Sequence, residues 1–80
     1  MAKASFTPLK RQLARRIAAC VRKLNLRQVE AAQRLQLTQP RLNALLKGRV
    51  ELFSLDALVQ IAMRIGLTVR VSATRRYSNT

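Results

Sequence analysis

Residues 27–48, RQVEAAQRLQLTQPRLNALLKG, decide how this chain folds. Val29, Ala31, Ala32 and Leu35 recur at helical spacing over about Arg27 to Leu35. Leu42, Leu45 and Leu46 do so again after a turn at Gln36-Leu37. Thr38 is a suitable N-cap, Pro40 is tolerated in a first turn, and Gly48 after Lys47 supplies the positive φ that closes a helix. The pattern predicts two short helices on either side of a tight turn. Ala31 and Ala32 are small where the second of them must cross the first closely. Leu35, Leu37, Leu42 and Leu45 form the wedge that sets the crossing angle. An angle held in this way pushes the start of the second helix, with Thr38 and Gln39, outward.

The flanking sequence reads as helix on both sides. Thr7 and Pro8 suit a cap and a first helical residue. Leu9, Leu13, Ile17, Cys20, Val21 and Leu24 then repeat along one stripe, and Arg11, Arg15, Arg16, Arg22 and Lys23 lie opposite. Asn25 is a residue able to stop that helix in a left-handed conformation. Arg49 to Phe53 form a loop whose Val50, Leu52 and Phe53 are expected on the core. Ser54 caps a further helix, Asp56 sits in its first turn where the helix dipole favours an acid, and Leu55, Leu58, Val59, Ala62 and Ile65 face inward before Gly66.

Past Gly66 the period changes. Leu67, Val69, Val71 and Ala73 alternate with Thr68, Arg70, Ser72 and Thr74, which is the pattern of a strand. No other segment could pair with it, and a lone strand leaves its backbone groups unmet. The expectation is therefore a mainly α fold of four helices, with one C-terminal β-strand pairing antiparallel across a twofold dimer through Leu67, Val69 and Val71. Residues 1–6 are expected as a flexible N-terminus, 7–74 as the domain with its dimerisation strand at 67–74, and 75–80 as a flexible tail.

Composition narrows the function. Of 80 residues, 16 are Lys or Arg and 3 are acidic, a net charge of +13, while 49% hydrophobic residues mark a chain that folds. Such a charge attracts polyanions. Twelve of those cations are arginines, which suit paired contacts to phosphate and guanine. The single cysteine, Cys20, falls on an apolar stripe, so it offers neither a disulfide nor a cysteine-rich metal site. No histidine is present, only Glu30, Glu51 and Asp56 carry carboxylates, and no phosphate-binding glycine loop exists. No catalytic constellation, cofactor site or metal site is read here. The N-terminus lacks a long apolar run, which predicts no signal peptide or membrane span and a reducing cytoplasm as the setting.

The stretch LNLRQVEAAQRLQLTQPRLNALLKG resembles the Xre-type helix-turn-helix of phage repressors and small bacterial regulators, a lambda-repressor-like layout. Adding GRVELFSLDALVQIAMRIGLTVRV makes the chain similar to the compact HigA-like antitoxin branch. That resemblance implies base contact by Gln39, with Arg41 and Asn43 on the exposed face beside it. Pro40 and Ala44 belong to the same base-contact surface. Ala44 replaces a longer polar residue and offers only a methyl contact to thymine. Phosphate contact is implied for Arg27 and Gln28, for Thr38, and for Lys47 and Arg49. Gln36 stands where the family has a turn glycine, at a cost of about 1 kcal/mol if φ is positive there.

The resulting expectation is a dimeric, sequence-specific repressor that binds double-stranded DNA at an inverted repeat, with a toxin protein as a partner if the antitoxin branch holds. The competing reading is a nonspecific basic nucleic-acid binder, associated with the nucleoid or ribosome. A membrane-surface role for the basic first helix is disfavoured, because its apolar stripe lacks interfacial aromatics and is needed for the core.

Overall fold

A computed structural model describes residues 6–68. Among them the chain forms α1 (Thr7–Lys23), α2 (Gln28–Leu35), α3 (Gln39–Leu46), a 3-10 turn (Val50–Leu52) and α4 (Leu55–Arg64). α1 packs along α4 and also meets α3 and the 3-10 turn, while α2 packs on α3 and α4. Ile17, Leu35, Leu42, Leu45, Leu58 and Ile61 fill the centre with almost no exposure. Burying an aliphatic side chain of this size contributes roughly 1.5–3 kcal/mol. Among the described residues no polar or charged side chain is buried, so the core is wholly apolar.

All four helices stop by one device. Asn25, Gln36, Gly48 and Gly66 take left-handed φ values of 57°, 59°, 83° and 91°. The residue after each donates its N–H to the carbonyl five positions back: Leu26 to Val21, Leu37 to Ala32, Arg49 to Ala44 and Leu67 to Ala62. This is the helix-closing arrangement in which a hydrophobic residue beyond the left-handed position folds back onto the helix. Leu26, Leu37 and Leu67 do so, each half-buried against the core. The helix starts are equally local. Thr38 Oγ1 accepts from Arg41 N–H at 3.3 Å, Ser54 Oγ accepts from Ala57 N–H at 3.0 Å, and Glu30 Oε1 accepts from Arg27 N–H at 2.9 Å. At α1 the start lies one residue earlier than expected, with Phe6 at the cap position and Thr7 already helical.

The end of α4 corrects the predicted fold class. No β-strand exists among the described residues, and the architecture is an all-α four-helix bundle. Leu67, read as the first residue of a strand, closes α4 with its backbone and packs its side chain on the core. Its apolar character is explained by the helix end and needs no sheet. Thr68 is not in a strand either, and its carbonyl accepts from Arg16 Nη2 at 3.4 Å. Val69 and Val71, the rest of the predicted pairing surface, lie outside the described residues.

Smaller departures follow from geometry. Val29 is 51% exposed because it lies about a third of a turn away from the face set by Ala31, Ala32 and Leu35. Leu52 is exposed as well, since in a 3-10 turn Val50 and Phe53, three apart, share the inward side. Leu24 also stays largely outside the core, whereas Ala14 and Ile61, absent from the predicted stripes, are buried. Cys20 is half-buried with its thiol 3.9 Å from the Ile65 carbonyl, consistent with an inert packing role.

Candidate nucleic-acid interface

The pairing of α2 with α3 builds a surface from the turn upward. Gln36 reverses the chain, Leu37 anchors the turn in the core, and Thr38 starts α3 with an extended backbone at φ −71°, ψ 160°. Leu42 and Leu45 then fix the inner side of α3 against the core. The opposite side is left to solvent, and Gln39, Pro40, Arg41 and Asn43 are all exposed there, with Ala44 half-buried beside them. No acid stands in the first turn of α3. Exposed donors and acceptors therefore surround the positive end of a helix dipole, with Gln39 and Asn43 on one flank and Arg41 on the other, an arrangement suited to an anionic, hydrogen-bonding partner.

Arg41 is not a free side chain. Its guanidinium lies 4.3 Å from the centroid of the buried Phe53 ring, and Nη1 points to the Leu52 carbonyl at 3.5 Å. Stacking occupies one face of the guanidinium plane, and its outer edge keeps further N–H donors for another ligand. Sequence reasoning placed Arg41 on the exposed face but missed this support. The available signal was Phe53 at the end of the loop, whose ring was assigned only to the core.

The expected phosphate-contact residues surround these positions in sequence, and all are exposed: Arg27, Gln28, Thr38, Lys47 and Arg49. Arg27 carries the only ion pair among the described residues, to Glu30 at 4.0 Å, with its side chain 85% exposed. An ion pair that open contributes little and competes weakly with another anion. Gln28 is the first residue of α2, next to N–H groups that the helix itself does not use. The Thr38 hydroxyl accepts from Arg41 N–H and still has its own proton to donate. Lys47 and Arg49 flank Gly48, and the backbone of both is tied to the end of α3 through Lys47 N–H to Asn43 O and Arg49 N–H to Ala44 O, each 3.0 Å.

One supporting contact was not foreseen. Arg64, in the last turn of α4, donates from Nη1 to the Leu35 carbonyl at 3.2 Å. It places a cation at the C-terminal end of α2, where unpaired carbonyls and the helix dipole both favour one. Nothing in the local pattern around Arg64 signals a partner 29 positions away.

The model of the family described as "Helix-turn-helix domain" matches residues 1–74. This chain belongs to that family. Helix-turn-helix domains of this type are DNA-binding regulatory modules and not catalytic folds. The match identifies the domain and does not extend to the antitoxin branch. Comparison with curated proteins and with solved structures gives no match. Within the helix-turn-helix, α2 and α3 are its two helices and residues 36–38 are its turn. Among the described residues no helix is long and apolar enough to cross a membrane.

Proposed function

We propose that this helix-turn-helix protein is a sequence-specific repressor that lays the first turns of α3 in the major groove of double-stranded DNA. Gln39 presents its amide to an adenine edge, and the outer edge of Arg41 reaches a guanine. Asn43 adds a further polar contact, while Pro40 and Ala44 give apolar contacts of the kind a thymine methyl accepts. Arg27, Gln28, Thr38, Lys47 and Arg49 hold the phosphates on either side and supply most of the affinity. The reading rests on one observation: exposed polar side chains on both flanks of the capped start of α3, on a helix whose inner side is locked into the core.

A single α3 offers few base-reading side chains, since Ala44 carries a methyl alone. Two copies on an inverted repeat, with half-sites about one helical turn apart, restore the information one copy lacks. The net charge of +13 favours a second reading, a nonspecific nucleic-acid binder. The deciding experiment is selection of bound sequences from a random duplex pool, then footprinting at one fixed salt concentration. Specific regulation predicts a short inverted repeat bound at least 10³-fold or so more tightly than random duplex. Uniform coating, with no enriched sequence, would overturn it in favour of the nonspecific binder.

A further inference from the structure

We infer that the groove between α1 and the C-terminal end of α3 is a docking site for an acidic amphipathic helix of another protein. The groove has a volume of about 580 Å³ and carries Arg11, Arg15 and Arg22 on the α1 side. These positions, with Ala18 between them, are spaced i, i+4, i+7 and i+11, so they fall on one stripe of the helix. Like charges four apart on a helix repel. Among the described residues none of the three arginines is in an ion pair. The stripe is therefore a row of uncompensated, outward-facing guanidinium groups.

The space beside that row is walled mainly by apolar side chains, with Ala18, Ala19 and Leu46 the ones that remain accessible and Ala14, Leu45 and Val50 in the core behind them. Ala14, Ala18 and Ala19 supply small side chains on α1, and Leu45, Leu46 and Val50 form the opposite wall. A phosphate backbone would meet the arginines and gain nothing from the alanine and leucine surface. A helix with an apolar face and flanking carboxylates satisfies both, placing its aliphatic side chains in the groove and its acids on the guanidinium forks. Arg11 to Arg22 spans about 16 Å along α1, which matches about three turns of such a helix.

Charge also decides whose helix it is. The chain holds only Glu30, Glu51 and Asp56 as acids at a net charge of +13, so a second copy brings repulsion to this groove. Residues 1–5 and 69–80 contain no Asp or Glu either, so they offer no carboxylate side chain to match the arginines. The groove shares no residue with the DNA-contact surface proposed above, and the inference stands independently of that reading.

The test uses the full chain, labelled with nitrogen-15, and a synthetic peptide of about 14 residues carrying leucines on one helical face and glutamates beside them, held helical by a side-chain lactam. Saturable amide shifts at Ala14, Ala18, Leu46 and Gly48 are expected, with a scrambled peptide of equal charge binding about tenfold more weakly or worse. Ala18→Met fills the groove without changing charge and is expected to weaken the peptide by about tenfold. Arg15→Gln, which leaves the apolar floor untouched, is expected to weaken it as well, so the result does not depend on one variant folding. Equal binding by the scrambled peptide, shifts centred on Gln39 to Asn43, or full affinity in both variants would overturn the inference. So would a random duplex that displaces the peptide and shifts the same groove amides, which would make the groove a phosphate contact.

Discussion

The Arg41 guanidinium rests 4.3 Å from the centroid of the Phe53 ring, so a residue of the core sets the direction of a residue on the surface. Phe53 is 2% exposed and follows the 3-10 turn, while Arg41 lies in the first half of α3. The link ties the loop after α3 to the helix it follows.

A double-mutant cycle measures that link. Arg41→Gln, Phe53→Leu and the double variant should show a coupling of about 0.5–1 kcal/mol in denaturant unfolding, the range for a cation over an aromatic ring at a surface. Phe53→Leu should also lower DNA affinity more than its loss of stability explains, because the guanidinium is no longer held. Additive effects in both measurements would show that the stacking has no energetic consequence.

Gln39→Ala should reduce affinity for the selected operator by about 1–3 kcal/mol and relax preference at one base pair. Binding to random duplex should hardly change. Repeating the sequence selection with the variant checks this directly, and an unchanged consensus would remove Gln39 from the readers.

Lys47→Ala and Arg49→Ala should behave differently from Gln39→Ala. Each should weaken specific and random DNA alike and flatten the plot of log affinity against log salt by about one unit of slope. Titrations at several salt concentrations test it. A variant whose salt dependence matches the parent has lost no phosphate contact.

Gln36→Gly should stabilise the fold. At φ 59° a side chain pays a steric cost that glycine avoids, and the expected gain is about 1 kcal/mol. Thermal or denaturant melting reads the change. A neutral or destabilising result would mean that the Gln36 side chain recovers elsewhere what its backbone loses.

The helices and their stops were legible because each is encoded within a few residues. Thr38 and Ser54 cap where their spacing places them, and Asn25, Gln36, Gly48 and Gly66 end helices where the apolar periodicity runs out. Exposure of Gln39 followed from the helix crossing, and that of Arg41 and Asn43 from the family resemblance. The contacts that escaped prediction join distant positions: Arg41 with Phe53, Arg64 with the Leu35 carbonyl, Arg16 with the Thr68 carbonyl. Leu67 was misread for a different reason. A helix closing through a left-handed glycine calls for one apolar residue beyond it, and a single apolar residue there starts an alternating pattern as easily as it finishes a helix.

That shared way of stopping has a kinetic consequence. Each helix end is completed by a hydrogen bond to a carbonyl five positions back, as in Leu37 N–H to Ala32 O. Closing such an end involves little loop-closure entropy, so it adds no slow long-range step to folding. The eight-residue α2 and α3 are too short to persist alone, so docking on the core stabilises rods whose lengths their own ends define.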